Sequence, residues 1–465
     1  MFENIIAQDA AAQIVFDAEQ QKIPPSILFR GPPLSGKGTA ALEAARAFSC
    51  DTPGAPWVCQ CEHCARHRLL SHPDLLVTGR RPFLPEINAA KEAFSREALP
   101  ATKTLFVRSV KKLLLRFAAV LMESDTRLSK INGLLENIND DMEEWSALAL
   151  EPEKKAEAFQ KLTDSIVKNA AKLEADGIAD AIPVSHIRAA SYWLHTAPSG
   201  HKKVLVIENA EMMLDAARNS LLKTLEEPPR DAVIILTSAR PKMLLATILS
   251  RVRQYSFVQR GREQEAEILR RVFREKNAGR SDSLDPVQSD SPLQTENGNS
   301  LLLDYFENSS GVPQKNVRGA AALWAASVAA ASVTALHKTR QALPDELVAL
   351  GKYAAPVAES AECGRPDTGL KTLMATIMEK TAGFAERETF NRFLKELFSV
   401  IRYALFAQGP VTPQTLRYAE AVRTSIREAQ TAVETYNQGK TLALEHLFLS
   451  LTESFSTTEG SASTV

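Results

Sequence analysis

The apolar positions of this chain repeat with two different periods, and the period changes along it. "SILF" (26–29), "LLV" within "HPDLLVTG" (72–79), "VLVI" (204–207) and "AVIILTS" (232–238) are short runs with the continuous apolar character of buried parallel strands. Helical stretches lie between them. "ALEAARAFSC" (41–50) is one, and "DAARNSLLKTLEEPP" (215–229) is an amphipathic helix stopped by Pro228-Pro229. Strands alternating with helices predict an α/β domain with a parallel sheet.

From about 84 to 180 the period is helical instead. A helix is expected over about 100–122. Leu128, Ile131, Leu134, Leu135, Ile138, Met142, Trp145 and Leu148 then share one helix face. Phe159, Leu162, Ile166, Val167, Ala170 and Leu173 share another after Pro152. The pattern is helical again from about 301 to 453. Residues 278–300 are rich in Ser, Asp and Pro and read as a flexible linker, and 454–465 as a disordered tail.

Length and charge narrow the picture. At 465 residues the chain is too long for one ordinary domain. Its net charge is −1, so no global basic field draws in nucleic acid. The charge is uneven, however. Residues 80–122 carry nine basic and three acidic side chains, and residues 123–150 carry two basic and seven acidic. Self-pairing of helix faces is the simpler reading of this, ahead of a DNA-binding arm. No apolar stretch reaches the ~20 residues of a membrane span, and "MFENIIAQDAAAQ" lacks the order of a secretion signal. A cytoplasmic protein is therefore expected.

Four motifs carry chemistry. "GPPLSGKGTA" (31–40) follows a strand and opens a helix, with Gly31 to Gly36-Lys37 at P-loop spacing. Its nucleotide-binding candidates are Gly31, Pro32, Pro33, Ser35, Gly36, Lys37, Gly38 and Thr39. Gly38 stands where a magnesium-holding Ser or Thr is usual. At the end of the "VLVIENAE" strand, Glu208 could reach magnesium, but Asn209 stands where a general base is needed and cannot accept a proton. Cys50, Cys59, Cys61 and Cys64 suit a tetrahedral structural zinc, with His63 or His67 as alternative ligands because Cys59-x-Cys61 is tight. Arg251 in "TILSRVRQYSF" (247–257) is by itself an ordinary surface arginine. Cys363 reads as a core residue.

"NSLLKTLEEPP" (219–229), together with "HPDLL", "IRAASYWL", "GHKKVLVIENAE" and "LLATILSRV", resembles the bacterial clamp-loader ATPase family of the AAA+ superfamily, most of all its delta-prime branch. The resemblance implies a RecA-like α/β domain over 1–258, with a zinc module at 50–64 and a helical insertion at 84–180. It further implies a helical lid over 259–335 and a helical collar over 336–453. It implies membership of a ring with gamma/tau and delta subunits, acting on a sliding clamp and primed DNA in replication as part of a DNA polymerase III holoenzyme. It makes Arg251, in Ser250-Arg251-Val252, an arginine finger for a neighbour's ATP. Thr237 falls at the first sensor and Arg318 near the lid sensor.

Two other functions compete. One is a gamma/tau-type motor that hydrolyses ATP itself, against which Gly38 and Asn209 argue. The other is a nucleoside monophosphate kinase, suggested by "GPPLSGKGT", which leaves "LLKTLEEPP" unexplained.

Overall fold

The computed structural model describes residues 2–20, 22–123, 125–149, 156–179, 181–276, 300–309, 312, 314–366, 369–382, 387–406, 411–434 and 438–456. The expected linker at 278–300 lies outside these except for Ser300, as does the expected tail at 454–465 except for its first three residues, which are helical. The chain divides into two compact units, Met1–Ser309 and Ser310–Val465.

The first unit is built on five parallel strands: β1 (Ser26–Arg30), β2 (Leu75–Gly79), β3 (Lys203–Glu208), β4 (Ala232–Ser238) and β5 (Arg253–Ser256). Their order is β2-β3-β4-β1-β5, which puts the P-loop strand inside the sheet. Alternating side chains divide between two faces. Ile27, Phe29, Val204, Val206, Val233 and Ile235 pack on α1 (Asp9–Glu19) and α2 (Lys37–Phe48). Leu28, Leu205, Ile207, Ile234 and Leu236 face the opposite layer. Because both faces are covered, the strands read as continuous apolar runs.

Helix α3 (Glu62–Arg68) lies within the cysteine segment. The insertion then forms α4 (Leu84–Arg96), α5 (Pro100–Leu114), α6 (Ala119–Met122), α7 (Leu128–Ala147) and α8 (Ala156–Gly177). The expected helix over 100–122 is broken. A 3-10 turn occupies Leu115–Phe117, and Ala118 is extended at ψ 137°. This bundle has its own core. Trp145 is fully buried among Phe94, Phe106 and Phe159 and donates to Thr163 Oγ1 at 2.9 Å.

The opposite layer consists of α9 (Val184–Leu194), α10 (Asp215–Glu226) and the short α11 (Ala246–Leu249). Helices α12 (Arg262–Val272) and α13 (Leu301–Asn308) pack through Leu269, Phe273 and Leu302 on Ala89 and Ala93 of α4.

The second unit is helical: α14 (Gln314–Thr339), α15 (Asp345–Ser360), α16 (Leu370–Lys380), α17 (Arg387–Phe406), α18 (Pro413–Glu434) and α19 (Lys440–Ser456). Helix α14 runs unbroken through residue 335, where the lid–collar boundary was expected. It is long and apolar enough to cross a membrane, yet 72% of its apolar window is buried in the unit's core. Cys363 is buried in that core, as expected.

Candidate functional site

Helix α2 begins in the P-loop. Gly36, its N-cap, sits at φ 92°, a left-handed conformation that favours glycine. Lys37 is only 7% exposed and turns back on its own loop. Its Nζ donates to Gly31 O at 2.7 Å, to Pro32 O, and to Ser35 Oγ at 3.2 Å. Those acceptors match the three N–H donors of an ammonium group. Burial lowers the Lys37 pKa to about 8, against the pull of Glu211 and Glu208. Ser35 Oγ donates to Pro32 O at 2.8 Å. Pro33 and Thr39 are exposed. The loop is also braced by a residue that sequence reading missed. Arg260, far along the chain, donates to Leu34 O at 2.9 Å and Ile6 O at 3.0 Å.

Glu208 ends β3, beside the loop. A Cβ added at Gly38 would lie 2.8 Å from Glu208 Oε1. Gly38 therefore makes room for the carboxylate where a hydroxyl-bearing residue would crowd it. Glu208 Oε2 accepts from Arg81 Nε at 3.0 Å and from Arg116 Nη2. Burial raises the Glu208 pKa, but Arg116, Arg81 and Lys112 outweigh it and hold the carboxylate below its ordinary range. Asn209 takes a left-handed conformation at φ 51°. Its backbone N–H donates to Thr237 Oγ1 at 3.1 Å, and its side-chain amide to Arg80 O at 2.7 Å. Glu211 Oε1 accepts from the backbone N–H groups of Ala239 and Arg240, which ties it to the loop after β4.

The cysteine segment leaves the other end of α2. The sulfurs of Cys50, Cys59, Cys61 and Cys64 all lie within 4.8 Å of one another, with Cys50 and Cys59 at 3.6 Å. Tetrahedral zinc–thiolate geometry places sulfurs about 3.8 Å apart. N–H groups also point at the sulfurs. Cys61 N donates to Cys59 Sγ and Cys64 N to Cys61 Sγ, each at 3.5 Å. Buried Arg46, on α2, donates to Cys64 Sγ at 2.9 Å and is fixed by Glu43 and Ala55 O. The Thr52 hydroxyl, first among several hydrogen bonds, lowers the Cys59 pKa to about 6. This donor set can hold a metal ion such as zinc. The histidines are turned elsewhere: His63 Nδ1 meets His72 Nε2 at 2.8 Å, and His67 Nε2 meets Ser49 Oγ at 2.9 Å.

Arg251 follows α11 and is exposed. It pairs with Glu226 of "LEEPP" at 2.6 Å and caps Thr247 O at 2.8 Å. Arg318 lies on α14, in the second unit.

The family model described as DNA polymerase III, delta subunit, matches residues 149–260. The delta' subunit of DNA polymerase III from Pseudomonas aeruginosa is 35% identical over 125 residues, 27% of this chain and 38% of that protein. The tau subunit from Bacillus subtilis is 32% identical over 108 residues, 23% of this chain and 19% of that protein. Over these stretches the chain is similar to the delta' and tau clamp-loader subunits of DNA polymerase III. The aligned stretches span well under two thirds of either relative. A gamma-subunit-related protein of Thermotoga maritima is similar at a TM-score of 0.31, with 16% identity over 64% of this chain and 90% of that one. The fold assignment rests on the strand order above.

The matched segment holds Glu208, Asn209, Glu226, Thr237 and Arg251. The P-loop, the cysteines and most of the insertion lie before it. The basic arm of the insertion turns inward, and its partners are mostly not the acidic arm. Arg116 reaches Glu208, Lys112 reaches Glu86, and Lys91 reaches Asp164. Arg108 donates to Arg68 O, and Lys111 to Leu69 O at 3.0 Å, which caps the C-terminus of α3. The net positive charge of the arm was visible in the sequence. Its targets, on β3 and α3, were not.

Proposed function

We propose that the chain is a delta-prime-like subunit of a DNA polymerase III clamp loader and does not hydrolyse ATP itself. The observation that carries this is the commitment of Lys37, Glu208 and the Asn209 side chain to the chain's own atoms. Lys37 is held by its loop, Glu208 by two arginines, and the Asn209 amide by Arg80 O. Arg251, by contrast, lies on the surface with a single carboxylate partner that it can exchange. In this reading it is an arginine finger for the ATP site of a neighbouring gamma/tau-type subunit. The subunit sits with gamma/tau and delta types in a cytoplasmic ring that loads a sliding clamp on primed DNA. Its cysteines hold a structural zinc.

The test is reconstitution. The chain is expected to co-purify with the other clamp-loader subunits of its cell and to be required for clamp loading on primed DNA. Failure to join them, with the pure chain folded, would remove this reading. The gamma/tau alternative has the Bacillus tau similarity behind it. It requires Lys37 and Glu208 to leave their present partners.

A further inference from the structure

Magnesium-bound nucleotide does not fit this site, and the misfit has a specific source. Magnesium is held through carboxylate oxygens and waters in near-octahedral geometry. The carboxylate that would take it, Glu208, is 7% exposed. Its Oε2 is shared by the Arg81 and Arg116 guanidiniums, and its Oε1 lies against Gly38. Arg81 and Arg116 also lie over one ring, at 4.3 and 5.0 Å from the centroid of buried Phe83. Arg81 continues to Glu86 at 2.8 Å, and Glu86 to Lys112. The cluster sets three cations (Arg81, Lys112, Arg116) against two carboxylates (Glu86, Glu208). A dication added beside the two guanidiniums is repelled in a medium of low dielectric.

We propose that Arg81 and Arg116 stand in the magnesium position at Glu208. The segment 80–122 thereby excludes magnesium-bound nucleotide from the loop. The role of this part of the insertion is to replace a metal ion with a resident cation, which keeps β3 and the P-loop in register without ligand. Arg116 and Arg81 are specificity-determining residues of the site, which rests on reading the loop as a clamp-loader nucleotide site.

The test uses ADP and magnesium with the pure full chain. For the wild type, adding Mg²⁺ is expected to weaken any ADP binding, because it converts free ADP to the excluded magnesium complex. In Arg81→Gln/Arg116→Gln, Mg²⁺ is expected to strengthen ADP binding at least tenfold. Tenfold strengthening by Mg²⁺ in the wild type, or none in a folded double variant, overturns the proposal. If the double variant does not fold, Mn²⁺ titration of the wild type against Glu208→Gln decides. Equal binding supports a sealed carboxylate, and a site present in the wild type but lost in Glu208→Gln overturns it. An inert wild type beside a folded variant without magnesium dependence sinks this inference and leaves the subunit reading standing. Steady ATP turnover by the wild type sinks the subunit reading instead.

Discussion

The two ends of helix α2 carry two candidate sites built by opposite rules. At its C-terminal end four sulfurs converge and the surrounding N–H and O–H groups point at them, a donor set that could hold a metal ion. At its N-terminal end three side chains that would meet a nucleotide, Lys37, Glu208 and Asn209, are held by the protein's own atoms. The difference shows that motif spacing and motif use are separate matters. Spacing is local and survives in both sites. Use depends on what the rest of the chain brings to the donor atoms.

If the chemistry is done on a neighbouring subunit, Arg251 is the residue of this chain that reaches it. Arg251→Ala is expected to lower ATPase of the reconstituted clamp loader by about 10³-fold, the low end for arginine fingers, while the isolated subunit keeps its melting temperature. Full activity in the assembled complex would remove the finger.

The insertion matters to the nucleotide end only if it folds as its own unit. Trp145→Ala is expected to destabilise it by about 3–5 kcal/mol, measured by hydrogen exchange in α5, α7 and α8. Unchanged protection there would show that the Trp145 cluster is not its core.

The pH dependence of the nucleotide end follows from Lys37. Its folded pKa of about 8 lies below its ordinary 10.5. The native state therefore holds fewer protons than the unfolded state between these values, and stability rises with pH across the window. Relative to Lys37→Met, the wild type is expected to carry a penalty of about 3 kcal/mol below pH 8 that vanishes above pH 10.5. A pH-independent difference would show that Lys37 is not buried as a cation.

The cysteine end is tested through a neighbour rather than a ligand. Arg46→Ala is expected to weaken zinc binding by about 10–100-fold while leaving the four thiols in place, read by competition with a chelator. Replacing Cys61 and Cys64 together is expected to release about one zinc per chain and lower the melting temperature. Native protein without zinc would contradict the site.

Much of the fold was legible because its signals are local. The apolar runs at 204–207 and 232–238 became β3 and β4, and the three-to-four spacing of Ile131, Ile138, Met142 and Trp145 became the buried face of α7. The four cysteines lie within fifteen residues of sequence and so could be read as a group. What escaped depends on distant partners. Arg116 meets Glu208 across 92 positions and Arg260 meets Leu34 across 226, and no local pattern marks either pairing. The break at Ala118 was hidden because the apolar spacing continues through it. Gly38 looked like the loss of a hydroxyl, and the fold gives it a steric reason in the position of Glu208.

On the function proposed above, the chain keeps the form of a nucleotide site without running it. The most direct measurement is steady-state ATP turnover by the pure full-length chain with magnesium, beside Lys37→Ala. Turnover at the level of the blank for both proteins is the expected result, and steady wild-type turnover that disappears in Lys37→Ala would contradict it.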